Sequence, residues 1–317
     1  MQKQTYDVLV IGGGPAGIFA ASLAHIKGLK SILIEANDYL GGQPLMIYSQ
    51  KTIEDYPGYA RIKAYQLIDN FIAQLKQTKV SVLLKTKLIS YVSNDGSFVI
   101  NLSNKKKICA KAIIVATGPG MFTPNRLEIP VDKHKNIEYN VNQLDSYKNL
   151  NVVILGGGDS AVDWANEISS VAKSVTIIHR RKEFRANGVN VNNLKKHKVK
   201  IYLNYEILKV NKNQITFKNN ETSKIDKISF QKLIVQYGQS IDSTGLNVFK
   251  NLKIDQNKRI PVNIHQMTNL KNIYAIGNIC IYDGKPSSIV CAHGEASVAV
   301  RHILNRVRSY ADKIVKH

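Results

Sequence analysis

Two stretches of this chain repeat one order of apolar and polar positions. The first opens on an apolar run at residues 6–11, which predicts a strand. It passes through Gly12-Gly13-Gly14-Pro15-Ala16-Gly17 into a helical stretch ending near residue 26. A short apolar run, Ser31–Ile34, then ends at Glu35. The second opens at residues 152–155, passes through Gly156-Gly157-Gly158-Asp159-Ser160-Ala161 into a helix ending near residue 171, and closes with a strand at 174–178 that ends at His179. Glu35 lies 23 positions beyond Gly12, and His179 lies 23 positions beyond Gly156. Equal spacing predicts two βαβ units of one size.

The parallel continues downstream. Residues 64–76 set Leu67, Ile68, Phe71, Ile72 and Leu75 on one helical face. Apolar segments at 88–92 and 98–102 flank Asn94-Asp95-Gly96, a hairpin signal. In the second half, segments at 207–210 and 214–217 flank another polar turn. Each half then reaches an apolar strand that stops near a glycine: 113–116 before Thr117-Gly118, and 233–235 before Tyr237-Gly238. Past residue 245 no third glycine-rich unit begins. A strand at 273–276 and a helix at 295–307 read as a return to the first half, so the second is predicted to interrupt it, with hinges near Gly118 and Gly238.

A glycine run between strand and helix has a physical use. Gly12 permits a tight turn, Gly14 lets backbone approach a pyrophosphate, and Gly17 allows helix to pack closely on strand. Unpaired N–H groups at the helix start then face the phosphates. The residues closing each unit select the ligand. Glu35, followed by Ala36, suits the two ribose hydroxyls of an adenosine and repels a 2′-phosphate, so the first site is expected to hold FAD or NAD. His179, with Arg180, Arg181 and Arg185 behind it, makes a cationic cluster suited to a 2′-phosphate, so the second is expected to hold NADPH, through Gly156, Gly158, Asp159, Ser160 and Ala161 as well.

Composition narrows the picture. The formal net charge is +21, from 44 basic and 23 acidic residues. Such an excess favours acidic partners. It also fits a general drift toward Lys, Asn and Ile, since the basic residues are dispersed apart from 105–107 and 179–185. No nucleic-acid-binding module is recognisable. Cys109, Cys280 and Cys291 have neither disulfide-framework nor zinc spacing, which fits a cytoplasmic protein. No signal peptide and no apolar run long enough to span a membrane is read, and His25, His134, His197 and His302 show no metal-ligand spacing.

Taken together, these features resemble the pyridine-nucleotide flavoproteins of the thioredoxin-reductase type, and more narrowly the thioredoxin-reductase-like (type 2) ferredoxin/flavodoxin–NADP reductases. The likeness rests on residues 156–165, on Ile177-Ile178-His179-Arg180-Arg181 with Phe184-Arg185-Ala186, on Gly277-Asn278-Ile279-Cys280 with Tyr282-Asp283-Gly284-Lys285, and on Gly294-Glu295-Ala296. It implies an α/β fold of two Rossmann-like (three-layer ββα) nucleotide-binding domains: an FAD domain at 1–118 and 246–317, with an NADPH domain at 119–245 inserted into it. It implies FAD contacts at Gly12, Gly14, Pro15, Ala16, Gly17, Glu35, Ala36, Gly42, Gln43, Asp55, Val82, Ala116, Thr117, Gly118, Gly277, Asn278 and Ser288. Tyr48 is expected to stack on the flavin ring, and an ungapped count from Gly294 places His317 over the ring's other face. The family carries Gly-Asp where this chain has Gly277-Asn278; an amide oxygen still accepts a ribityl hydroxyl, without charge assistance. A homodimer is also implied.

Thioredoxin reductases proper carry a C-x-x-C in the nicotinamide domain. This chain has no cysteine between Cys109 and Cys280, and disulfide exchange needs an attacking and a resolving thiol. The expected activity is therefore hydride transfer from NADPH to FAD and single-electron transfer to an acidic carrier, ferredoxin or flavodoxin. An NADPH-dependent reductase of an external disulfide or of oxygen, and a flavin- and NADPH-binding sensor without turnover, stand as alternatives.

Overall fold

The computed structural model describes residues 4–94, 96–128, 136–139, 141, 144–242 and 244–314. Asp95 and His317 lie outside the described residues, and with His317 the expected stacking over the flavin. The chain forms two compact units. One comprises Met1–Met121 and Ile241–His317, the other Phe122–Ser240. Where the chain crosses between them, strands Met121–Pro124 and Gln239–Asp242 pair with each other. The helices, in chain order, are α1 (Pro15–Ile26), α2 (Gln43–Tyr48), α3 (Ala64–Lys76), α4 (Asp159–Ser169), α5 (Gly188–Lys196) and α6 (Ile289–Ile314).

In the first unit, Ser81–Leu83, Ser31–Ile34, Gln4–Ile11 and Lys107–Val115 lie side by side in parallel. Gln4–Ile11 is central, with Val8, Leu9 and Val10 fully buried, as expected of a parallel strand covered on both faces. The long strand Lys107–Val115 divides its outer edge between two partners. Its first half pairs antiparallel with Ser97–Leu102, and its end pairs parallel with Ile273–Ala275. Leu88–Asn94 completes the hairpin with Ser97–Leu102. One face is packed by α1, α3 and α6, where Ala20, Ala21 and Ala24 of α1 and Ala292, Ala296 and Ala299 of α6 share a core with Leu67 and Ile68 of α3. The other face buries Phe98, Ile100, Phe249 and Ile260.

The second unit repeats this plan. Its parallel sheet runs Ile137–Glu138, Lys232–Val235, Asn151–Leu155, Ser174–His179, Lys200–Leu203. Trp164, Ile168 and Leu194, from α4 and α5, cover one face. Ile215 and Phe217 cover the other, from an antiparallel sheet of Tyr205–Val210, Gln214–Asn219 and Ile225–Ser229. Each unit is thus a three-layer ββα nucleotide-binding fold.

One helix departs from the sequence expectation and two were not foreseen in it. Helix α6 begins at Ile289 rather than 295 and runs on to Ile314, because Ser288 accepts the Cys291 N–H and starts the helix ahead of Gly294. Helix α2 has six residues with Pro44 at its start. Helix α5 buries only Leu194. Neither is long or apolar enough to show a helical period.

Candidate functional site

The first glycine loop is built as its residue types require. Gly12 has φ +107°, and a Cβ there would lie 2.5 Å from the Ala116 carbonyl oxygen; a Cβ on Gly17 would lie 1.8 Å from the Gly12 oxygen. The loop is therefore wedged between α1 and the end of Lys107–Val115, with Ala116 N–H on the Ile11 oxygen. Gly14 is the N-cap of α1, with extended backbone and no side chain capping the helix. Its Cβ position meets nothing closer than Gly42 Cα at 3.9 Å. The start of α1 thus keeps unpaired N–H groups with open space before them, which is what an anionic pyrophosphate needs.

Other segments close on this point. Gly41 donates its N–H to the Gly13 oxygen at 2.8 Å, and a Cβ on Gly42 would lie 2.8 Å from Gly14 Cα. This sets Gly42 and Gln43, at the start of α2, directly against the loop. Gly277, at φ +74°, approaches the first turn of α1, where its Cβ would lie 3.1 Å from that of Ala16. Asn278 donates to Gln43 Oε1 at 3.3 Å and accepts the Ser287 hydroxyl at 3.0 Å. Glu35 is buried, and its two carboxylate oxygens accept the Gly13 N–H at 2.6 Å and the Asn37 N–H at 2.8 Å. Each oxygen keeps a lone pair for a ribose hydroxyl.

The remaining expected residues occupy the edges. Val82 lies in the parallel strand paired with Leu33. Tyr48 is half-buried at the end of α2; burial first, then the Asp55 carboxylate, push its hydroxyl above the usual range. Asp55 is exposed. Thr117 and Gly118 follow Ala116, Gly118 with φ +62°. Ser288 is engaged as the cap of α6.

In the second unit Gly158 caps α4 with extended backbone, again with no side-chain cap, and no atom lies within 4 Å of its Cβ position. Gly156 has φ +146° and a Cβ position 2.4 Å from the Gln236 oxygen. The basic turn is pinned by its backbone. Arg185 N–H bonds the Gly157 oxygen at 2.8 Å, the Arg181 oxygen accepts the Asn204 N–H, and the Arg180 oxygen accepts the Asn220 amide. Asp159, in the first turn of α4, accepts the Asn187 N–H at 2.9 Å; Ser160 is exposed and Ala161 buried. Arg180, Arg181 and Arg185 are exposed.

His179 departs from the cationic role read from sequence. It is 7% exposed, its ring lies 2.4 Å from the Cβ position of Gly157, and it stacks on Phe184 at 5.9 Å. Burial first of all lowers its pKa; the Glu183 backbone hydrogen bond opposes this, and the three arginines lower it further. It is a neutral ring wedged under the loop, and the positive charge is left to the arginines.

Sequence reading left the partners of two groups of the first unit open. His293 is 8% exposed, stacks on Phe19 at 4.5 Å and takes part in a 3.1 Å hydrogen bond with the Tyr56 hydroxyl. Glu295 is buried and ion-paired with Lys285. Their letters were legible; nothing along the chain showed which partners would surround them.

Known proteins bear on this arrangement. The family model described as pyridine nucleotide-disulphide oxidoreductase matches residues 6–296. A protein of Malacoplasma penetrans named ferredoxin–NADP reductase is 38% identical over 310 residues, covering 94% of this chain and 96% of its own. One of the same name from Streptococcus agalactiae is 36% identical, over 100% of this chain and 98% of its own. Among solved structures, Lactococcus lactis thioredoxin reductase superposes with a TM-score of 0.73 at 25% identity, over 96% of this chain and 99% of that one. Likeness in fold alone extends to the T. acidophilum thioredoxin reductase, at TM-score 0.74 and 22% identity, over 96% of this chain and 99% of that one.

Proposed function

From the premise that this chain belongs to the pyridine nucleotide-disulphide oxidoreductase family, we propose that it is a ferredoxin–NADP+ reductase: it oxidises NADPH and hands the electrons singly to a ferredoxin or flavodoxin, with FAD held by the first unit and NADPH by the second. The carrying observation is that two like-built glycine loops end in opposite charge, a buried Glu35 carboxylate in one unit and exposed Arg180, Arg181 and Arg185 in the other.

Bound FAD supplies the centre that accepts a hydride and releases electrons one at a time. The protein's own residues do the rest. The uncapped start of α1 holds the pyrophosphate, with Gly14 leaving room for it. Glu35 accepts the adenosine ribose hydroxyls, and its charge disfavours a 2′-phosphate there. Gln43 and Asn278 would line the ribityl side, and half-buried Tyr48 would offer its ring to the flavin. In the second unit the guanidinium forks of the arginines grip the 2′-phosphate that separates NADPH from NADH. His179, neutral and stacked, keeps the loop seated behind them.

A ferredoxin or flavodoxin as acceptor is favoured over a disulfide by the lack of any cysteine between Cys109 and Cys280. The two relatives above carry the same activity in their names. The net charge of +21 suits an acidic carrier. Free cysteines accord with a reducing cytoplasm, and the resemblance supports a homodimer. No helix among the described residues is long and apolar enough to cross a membrane.

The test is anaerobic. Purified protein reconstituted with FAD is mixed with NADPH or NADH, and the reduced flavin is offered ferredoxin, flavodoxin, low-molecular-weight disulfides and oxygen. Rapid bleaching by NADPH and fastest reoxidation by a protein carrier are expected. Faster turnover with a disulfide or oxygen, or binding without bleaching, would overturn the reading.

A further inference from the structure

A buried ionic cluster lies beneath the turn at Gly277. Glu295, on α6, is 3% exposed. Its Oε2 accepts the Gly277 N–H at 2.6 Å and faces the Cys280 thiol at 3.5 Å. Its Oε1 accepts the Tyr282 hydroxyl at 2.9 Å, faces the Cys291 thiol at 3.3 Å and pairs with the Lys285 ammonium. The Lys285 side chain is itself 5% exposed and sits 5.2 Å over the Tyr282 ring. Cys280 reaches Gln266 Oε1 at 3.7 Å, and burial foremost pushes that thiol to about 12, so it acts as a hydrogen-bond donor and not as a thiolate.

An ion pair this deep is a poor source of net stability, because desolvation offsets most of the attraction. What it does supply is direction. One carboxylate gathers five donors from the segment 277–291, and the shortest backbone contact fixes the amide of Gly277. That glycine packs against Ala16 in the first turn of α1, and the next residue, Asn278, reaches Gln43 at the start of α2.

We propose that Glu295, with Lys285 as its counter-charge, is a positioning residue for the cofactor of the first unit: the carboxylate sets the Gly277 amide, and through it the side chain of Asn278 and the spacing of this turn from α1. The inference rests on the reading that this unit holds FAD. It assigns Glu295 no contact with the cofactor; it acts through Gly277 and Asn278.

Paired substitutions test it in the full-length chain, because a single change strands a buried charge. Lys285→Met with Glu295→Met keeps volume and removes the acceptor of the Gly277 N–H. Lys285→Met with Glu295→Gln removes the charge but keeps an amide oxygen there. FAD affinity is titrated by flavin fluorescence, the visible circular dichroism of bound flavin is recorded, and folding is checked by far-ultraviolet dichroism. The Met/Met protein is expected to bind FAD roughly tenfold more weakly with an altered visible spectrum, and the Met/Gln protein to recover to within about threefold of wild type. Should Met/Met not fold, Glu295→Asp, which keeps the charge but draws the carboxylate back, is expected to weaken FAD by about threefold or more. A folded Met/Met protein with wild-type affinity and spectrum would sink the proposal, as would Met/Gln no better than Met/Met, or an indifferent Glu295→Asp. Wild-type protein that takes up no FAD at all would instead sink the reading beneath it.

Discussion

At the scale of single residues, environment decides what a side chain does. His293 and His179 are both buried rings with an Nε2 that makes no well-formed hydrogen bond, and both are held neutral by burial. For His293 burial lowers the pKa from 6.5 to about 4, with the nearby Pro15 backbone opposing. As pH falls below 6.5 the unfolded chain takes the proton first, so stability present at neutral pH is lost between 6.5 and about 4, amounting to about 2 kcal/mol by pH 5. His293→Phe lacks this titration. Urea unfolding at about pH 7.5 and pH 5 should show a smaller acid loss in the variant than in wild type; equal losses would count against it. On the proposed reading, Arg180→Ala with Arg181→Ala removes two charge-assisted contacts to a 2′-phosphate. Steady-state kinetics should show KM for NADPH raised by roughly 10- to 100-fold, with NADH scarcely affected. An equal loss with both nucleotides would place these arginines elsewhere.

At the scale of elements, the strand–glycine–helix joints make a contrast that separates folding from binding. Gly17 has no room for a side chain: a Cβ there meets the Gly12 oxygen at 1.8 Å. Gly17→Ala must prise α1 from its strand and should cost about 2 kcal/mol or more of stability. Gly14 and Gly158 are different. Both have negative φ, at −78° and −92°, and open space at the Cβ position. Alanine at either should fold with little change in thermal midpoint, yet intrude where a phosphate is expected. Gly14→Ala should weaken FAD, and Gly158→Ala should weaken NADPH, each by about tenfold or more in a binding titration. Unchanged affinities in folded variants would show that the phosphates lie elsewhere.

At the scale of the whole molecule, the two units differ in chain continuity. Phe122–Ser240 is one segment with a core on each face of its sheet. The other unit takes strand Ile273–Ala275 and helix α6 from beyond the insertion. Residues 122–240 expressed alone should therefore unfold cooperatively and bind NADP+ within about tenfold of the full chain, whereas residues 1–121 alone should not fold. A non-cooperative 122–240 fragment would refute that independence. The net charge acts on the same scale. If an acidic carrier is steered by a surface at +21, kcat/KM for that carrier should fall steeply as ionic strength rises through about 0.1 M, while turnover with a small neutral acceptor stays flat.

The sequence by itself determined the strand–glycine–helix joints, their equal spacing, the helical face of residues 64–76 and the opposite charges that close the two units. These are local: they depend on backbone freedom, apolar period and residues a few positions apart. Helices α2 and α5 escaped because short or polar segments carry no period. Only the tertiary structure decided that Gln43, Gly277 and Asn278 meet at the first turn of α1, that His179 is a neutral wedge beside three exposed arginines, and that Glu295 and Lys285 form a buried pair. The physical reason is that contact across hundreds of residues is set by how layers pack, and that the charge on a titratable side chain is fixed by the water and partners packing leaves it.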